Sequence, residues 1–422
     1  MTQPDMTQPE MAEPEPLVLE LVIGAVAAGG SCVARADDGR VVFVRHTLPG
    51  ERVRAVVTSQ TTSFLRADAV EVLEASPDRV ETPCPYAGPG LCGGCDWQHV
   101  AVPVQRELKA ALIAEQLQRL AGLDRPVVVE EVPGAPGGLG WRTRVQFAVA
   151  PSGRVGLRKH RSHDLQPIDR CLIASPDVQA VGVEAHRWPG VSAIEVAASG
   201  PARVLALTSR GGRPQPAPVE AGLAIDGRAT RTPHGLRHTV GGRSFEVGTG
   251  GFWQVHPGAA ETLSQAVLTG LDPQPGERAL DLYAGVGLFA ALIGERVGET
   301  GAVLAVESNP HACADAARNT ADLPQVKIRT AAIDGALLSR AGAVDLVVLD
   351  PPRAGAGLQV TRALAGLRPR RMVYISCDPA SFARDLKVLL DVGWQLEDLR
   401  ALDLFPMTEH VELVATFSPP LF

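Results

Sequence analysis

The chain has 422 residues, 45% of them hydrophobic and 21% charged, which is ordinary globular material with room for two to four domains. Its formal net charge of -7 excludes a basic surface over the whole protein, so any nucleic-acid contact must be a local patch. Seven unevenly spaced cysteines do not fit a disulfide scaffold and point to a reducing, cytoplasmic setting with metal-binding or reactive thiols.

Residues 1–15 are acidic, proline-rich and crudely repetitive (MTQPDMTQPE), and are expected to be a disordered tail with no basic leader. The apolar run from Leu17 to Ala28 is broken by Glu20 and is too short to cross a bilayer, so no membrane partner is expected. Residues 16–75 alternate apolar and polar side chains around glycine turns, with Asp38-Gly39 as a hairpin signal. This predicts a small OB-like antiparallel β-barrel of about five strands. It carries Arg35, Arg40, Arg45, Arg52, Arg54 and Arg66, either as a solvated face or as an RNA-contacting one. The stretch GGSCVARADDGRVVFVRHTLPGERV resembles the TRAM domain, and that resemblance implies RNA binding.

Residues 76–245 read as a central, mainly β domain. It opens on Cys84, Cys92 and Cys95 in a glycine-rich loop, with Cys171 far downstream. Three close thiols and one remote one can form the corners of a metal site, and an all-thiolate set suits zinc or an iron–sulfur cluster. Spacing alone does not choose between these and free thiols. Cys32 and Cys313 have no partner cysteines nearby and read as packing residues. Gln105 to Leu123 has helical periodicity and predicts a structural surface helix. Arg142, Arg144, Arg158, Lys159, Arg161 and Arg170, interleaved with Trp141 and Phe147, form the most concentrated basic stretch and a candidate RNA contact.

From residue 246 to 422 strands and helices alternate, which predicts a doubly wound, Rossmann-like α/β sheet. Strands are expected at Arg278–Tyr283, Ala302–Glu307, Val326–Ala331, Val344–Asp350 and Met372–Cys377, closed by an antiparallel pair over Trp394–Leu404 and Val411–Phe417. Gly285-Val286-Gly287 followed by a helix, with Glu307 ending the next strand, is a nucleotide-binding arrangement: glycine admits the ligand and the acid takes ribose hydroxyls. Ala290 stands where a dinucleotide fingerprint has its third glycine. Cys377 lies between a strand and a helix whose N-cap is Asp378 and first residue Pro379, a position that favours thiolate.

The pattern Asp281-Leu-Tyr-Ala-Gly-Val-Gly resembles motif I of class I S-adenosylmethionine-dependent methyltransferases. With Asp350-Pro-Pro-Arg353, Ser376-Cys377 and Phe405-Pro-Met-Thr-Glu-His-Val-Glu412, nearly the whole chain resembles the RNA 5-methyluridine (uracil-C5) methyltransferase family, most of all its ribosomal-RNA branch. That resemblance implies Cys377 as nucleophile and Glu412 as general base. It implies an S-adenosylmethionine site lined by Gln254, Tyr283, Glu307 and Asp350. It further implies a [4Fe-4S] cluster on Cys84, Cys92, Cys95 and Cys171, and a 23S ribosomal RNA uridine as substrate. A transfer-RNA uridine, a cytosine C5 methyltransferase and a non-catalytic iron–sulfur RNA-binding protein are the alternatives. The family pattern is departed from at Leu288, His256 and Asp378. A monomer is expected.

Overall fold

The first strands form because β-branched and apolar residues recur at every second position, so that one face of each strand is buried. They are β1 (Val18–Val22), β2 (Val26–Ala27), β3 (Ser31–Arg35), β4 (Val41–Arg45), β5 (Arg52–Gln60) and β6 (Phe64–Glu74). The computed structural model describes residues 16–211, 214–216 and 218–420; the tail expected at residues 1–15 lies outside these. The strand order is β1-β5-β6-β4-β3-β2, filled by Leu21, Val42, Val44, Val53, Leu65 and Ala67. Six strands form where about five were predicted, and β4 pairs with β6 in parallel, so the barrel is not wholly antiparallel. The sheet curls on itself at Gly24, whose N–H donates to the Val33 carbonyl; a Cβ there would stand 2.9 Å from that oxygen. The Asp38-Gly39 turn joins β3 and β4 as read. This first compact unit ends at Arg79 and a second runs from Val80 to Phe422.

The second unit begins with helix α1 (Val102–Gln116), which runs on through a wider turn at Leu117–Ala121 to β7 (Val129–Glu131). A seven-stranded sheet follows, with β8 (Arg144–Val149), β9 (Val155–Arg158), β10 (Leu165–Pro167), β11 (Val191–Ser199), β12 (Ala202–Ser209), β13 (Gly222–Ile225) and β14 (Arg228–Arg231). Its order is β10-β9-β8-β11-β12-β13-β14, and a short helix, α2 (Pro176–Gln179), lies in the β10–β11 connection. A separate hairpin, β15 (Gly235–Val240) with β16 (Arg243–Gly248), leads to helix α3 (Ala259–Leu271).

The α/β region then takes the predicted course. It comprises β17 (Arg278–Leu282), α4 (Leu288–Val297), β18 (Ala302–Glu307), α5 (Pro310–Asn319), β19 (Val326–Thr330), α6 (Gly335–Leu338), β20 (Leu346–Leu349), α7 (Gly357–Leu367), β21 (Arg371–Ser376), α8 (Pro379–Asp391), β22 (Gln395–Asp403) and β23 (Glu412–Ser418). The sheet order is β19-β18-β17-β20-β21-β23-β22-β7, with β23 antiparallel between β21 and β22. The near-continuous apolar runs of β17, β20 and β21 are buried on both faces, as a helix-covered parallel sheet demands.

Two features depart from the sequence reading. The eighth strand, β7, comes from residues 129–131, far upstream of residue 246, and pairs in parallel with β22. Helix α1 is not a surface helix: Gln105, Lys109 and Ile113 are fully buried. Its polar residues read as a solvated face because their partners lie some three hundred positions away; the Lys109 ammonium donates to Asp403 at 2.6 Å. Among the described residues no helix is long and apolar enough to cross a membrane.

Candidate active site and cysteine pocket

Four parallel strands bring their carboxyl ends to one sheet edge. Tyr283 follows β17, Glu307 ends β18, Asp350 follows β20 and Cys377 follows β21. Because β23 is antiparallel, it begins at that same edge with Glu412. Ser376 pairs with Leu413, so the next residues on either strand, Cys377 and Glu412, stand at facing positions. Strand order reverses between β17 and β20, where open α/β sheets bind ligands.

The turn at Cys377 is locally determined. Asp378 caps α8 by accepting from the Ser381 N–H at 2.7 Å, and Pro379 takes the first helical position, as the sequence predicts. The thiol is half-buried, and burial pushes it up to about 11, helped by the Glu412 and Asp350 charges and opposed by the Arg353 guanidinium. The low-pKa thiolate expected of a helix N-terminus is therefore outweighed by burial. Burial, and then the Asp350 charge, hold Glu412 well above the usual carboxylate range. Burial pushes Asp350 up to about 7. Two buried carboxyls facing one thiol cannot all ionise cheaply, so protons are retained at this edge.

The loop after Asp350 is held from α8 and β21. One Asp385 oxygen accepts from the Tyr374 hydroxyl at 2.7 Å and from the Ala356 and Gly357 amides at 2.8 and 3.2 Å. Gly355, at φ 82°, passes so close that a Cβ would stand 2.7 Å from that oxygen. The Ser381 hydroxyl donates to the Arg353 carbonyl at 2.9 Å. The Arg353 guanidinium reaches the His410 Nε2 at 3.4 Å, and burial followed by that guanidinium pushes His410 down to about 4, leaving it neutral.

On the cofactor side, Tyr283 has a left-handed backbone, φ 63°, a conformation that side chains rarely adopt and that clusters at functional sites. The Glu307 carboxylate accepts from the Gly285 N–H at 3.1 Å and the Asn309 N–H at 2.7 Å, tying the glycine loop to β18. Gln254 stands on the loop between β16 and α3. Asp281 was not among the predicted site residues. It is buried at 1% exposure, accepts from the Ala290 N–H at 2.8 Å through Oδ2, and has no partner for Oδ1. Burial pushes it up to about 8, with the backbone N–H of Ala290 opposing and the Asp350 and Glu307 charges adding. The available signal was an acid inside an otherwise apolar strand.

The four predicted metal-site cysteines share one place. All are free thiols lining a cavity of about 440 Å³. The Tyr86 hydroxyl donates to Asp169 at 2.8 Å, which brings the first cysteine loop to the segment that holds Cys171. Gly93 donates to the Arg158 carbonyl, and a Cβ on it would stand 2.6 Å from the His160 Cα, so only glycine lets Cys92 and Cys95 approach the β9–β10 hairpin. Burial pushes Cys92 up to about 11 and raises Cys95 and Cys171, so thiolates here need a cation beside them. Among the described residues no three such side chains are placed to hold a single metal ion. Cys32 is buried within the barrel, and the Cys313 thiol lies against the Glu307 carbonyl.

The basic residues divide. In the barrel, Arg40 pairs with Asp38, Arg52 with Glu20 and Glu74, and Arg54 with Glu71, while Arg45 is buried. Arg66 instead lies over the rings of Phe43 and Phe64, at 5.6 and 5.2 Å from their centroids. Arg144 pairs with Glu195, whereas Arg158, Lys159, Arg161 and Arg170 line the cysteine cavity.

Residues 18–70 match the TRAM domain, and residues 327–417 match the tRNA (Uracil-5-)-methyltransferase family. An RNA methyltransferase of Streptomyces coelicolor, itself named uncharacterized, is 50% identical over 95% of this chain and 92% of its own. The 23S rRNA (uracil(1939)-C(5))-methyltransferase RlmD of Alkalilimnicola ehrlichii is 33% identical over 94% of this chain and 96% of its own. The crystal structure of the Pyrococcus abyssi tRNA (uracil-54, C5)-methyltransferase in complex with S-adenosyl-L-homocysteine aligns with a TM-score of 0.70 at 22% identity, over 94% of this chain and 100% of that one. That likeness is one of fold.

Proposed function

This chain belongs to the RNA uracil-5-methyltransferase family, and from that premise we propose that it methylates carbon 5 of a uridine in 23S ribosomal RNA, using S-adenosylmethionine and a transient bond to Cys377. The observation that carries this reading is the facing placement of Cys377 and Glu412 on neighbouring strand ends, beside Asp350. The ribosomal substrate is favoured by the 33% identical relative named for 23S rRNA.

Carbon 5 of uracil is a weak nucleophile. The Cys377 thiolate adds to carbon 6, forming a C–S bond and moving the ring double-bond electrons toward carbon 5 and the carbonyl at carbon 4. S-adenosylmethionine, when bound, supplies an electrophilic methyl group. Once carbon 5 carries that methyl, Glu412 takes its proton. The released electron pair restores the ring double bond and expels the thiolate. Once ionised, a carboxylate held well above its ordinary range is the stronger base for that step. Because burial holds the Cys377 thiol near 11, it loses its proton to solvent before it adds and only a small fraction is thiolate at neutral pH; Arg353 is a charge that eases this ionisation. The uracil must leave its stack to reach the edge, so the target is single-stranded or in a loop.

The residues fit the two groups implied. For S-adenosylmethionine, the glycine loop is bare at Gly285, where a Cβ would meet nothing within 4 Å, and Asp281 keeps one oxygen unpartnered. For a metal centre, Cys84, Cys92, Cys95 and Cys171 are a four-thiolate donor set. An all-thiolate set suits zinc or an iron–sulfur cluster, and the family resemblance favours the cluster. That cluster would supply the positive charge that buried thiolates require.

The test is a map of 5-methyluridine in ribosomal and transfer RNA from cells lacking this chain. Loss of one 23S site, restored by the wild-type chain, supports the reading. Loss of a transfer-RNA site redirects the substrate, and an unchanged map of both refutes the reading.

A further inference from the structure

Glu412 stands at the end of a segment, Phe405 to Val411, that nothing regular supports. At its centre Met407 has φ 68°, a left-handed conformation that a methionine rarely adopts, and it is buried at 4% exposure. Such a conformation persists only where its surroundings impose it, and here they come from far away in the sequence. The Met407 carbonyl accepts from the Asp96 and Trp97 amides, both at 3.0 Å. The Met407 N–H donates to the Gln105 side-chain Oε1 at 2.8 Å, while the Gln105 side-chain NH₂ donates to the Trp97 and Val100 carbonyls at 3.1 and 2.9 Å and touches the Met407 sulfur at 3.4 Å. The Glu409 N–H donates to Asp96 Oδ2 at 3.3 Å. Lys109 donates to the Phe405 carbonyl at 3.0 Å.

Asp96 and Trp97 directly follow Cys95. Met407 also packs with Trp141 and Ile173, against which Cys95, Cys171 and Phe405 lie. The cysteine loop and the segment that ends in Glu412 are therefore one hydrogen-bonded block.

We propose that the Cys95–Trp97 turn and helix α1 clamp Met407 in its left-handed conformation, making Gln105 and Asp96 positioning residues for proton removal by Glu412. This rests on the catalytic reading of Cys377 and Glu412. The clamp acts on the segment that ends in Glu412, whereas the nucleophile is carried by β21. Loss of the clamp slows the release of RNA from the enzyme while leaving addition of the thiol and S-adenosylmethionine affinity as they were.

The experiment uses the full chain, purified without oxygen, with ribosomal RNA from cells lacking the protein and radiolabelled S-adenosylmethionine. Covalent RNA–protein adduct is followed on denaturing gels for wild type, Gln105→Met, Asp96→Ala and Glu412→Gln. The clamp variants are expected to form labelled adduct at the wild-type rate and to resolve it about ten- to a hundredfold more slowly, as misplacement of one reacting group by about 1 Å would produce. A variant that only loosened the fold would lose adduct formation and S-adenosylmethionine affinity together. If Gln105→Met does not fold, Asp96→Ala, on a half-buried loop, carries the test. Wild-type resolution rates in a folded variant overturn the clamp. Absence of adduct in both wild type and Glu412→Gln overturns the underlying reading, and the clamp with it.

Discussion

Cysteine is placed in two opposite ways in this molecule. Cys377 is alone at a strand end, where burial raises its pKa first, two acidic side chains add to that and one guanidinium opposes it. Cys84, Cys92, Cys95 and Cys171 share one cavity, where burial raises Cys92, Cys95 and Cys171 and the charges that add to it include those of their fellow cysteines. The first site is the one proposed to form and break a bond; the second needs a cation before it can carry charge. A thiol's use is set by what surrounds it: Cys377 faces two carboxyls and a guanidinium, whereas the four cysteines face one another.

The largest separation of the two sites is expected from Cys377→Ala. It should lower turnover on the order of 10⁴-fold or more, abolish adduct, and leave metal content unchanged by elemental analysis. Loss of metal along with activity would erase the distinction. Glu412→Gln should cost about 10² to 10⁴ in turnover while labelled adduct accumulates; adduct that resolves normally removes Glu412 as the base. The converse substitution, Cys95→Ala, should strip iron and brown colour from anoxically purified protein, yet leave Cys377 able to add to RNA. Colourless, zinc-bearing and fully active wild type would end the cluster proposal.

The pH dependence gives a finer cut. A thiol near 11 is deprotonated only in small part at neutral pH, and its thiolate fraction rises with pH until the pKa is reached. The adduct-forming step should therefore speed up about tenfold per pH unit up to roughly pH 10, measured by rapid quench. Arg353→Met removes the one charge that lowers the thiol, and should slow that step about tenfold without touching the four-cysteine site. A pH-independent adduct rate would show that the bound RNA resets the thiol. The smallest effect is expected over the cavity: Lys159→Glu with Arg161→Glu should weaken RNA binding and lower its salt slope by about 0.7 to 0.9 for each phosphate no longer neutralised, with S-adenosylmethionine affinity unchanged.

Much of this arrangement was legible in the sequence because its determinants are local. A strand that ends in Ser-Cys-Asp-Pro folds into a capped helix start regardless of its neighbours, and the observed cap on Asp378 is the expected one. The same holds for the glycine loop between β17 and α4. What stayed hidden depends on distant partners. Gln105 and Lys109 look like solvated helix residues until Met407 and Asp403 arrive some three hundred positions later. The partners of the barrel arginines Arg52 and Arg54 appear only when Glu74 and Glu71 are seen across the strands. Asp281 belongs to a recognisable motif, yet nothing in its neighbours along the chain reveals that one of its oxygens is left unpartnered.

The eighth strand of the α/β sheet has a consequence for how the protein can be divided. Since β7 and α1 precede the seven-stranded sheet in the chain, that sheet is an insertion into the methyltransferase body rather than a module ahead of it. A ribosome releases one edge of the body, then the whole insertion, and only afterwards the remaining seven strands. A fragment cut at residue 246 would expose the β22 edge and strand Asp403 in the interior without its lysine. The smallest piece expected to fold begins near Val80, and grafting this catalytic body onto another protein requires carrying the inserted sheet along with it.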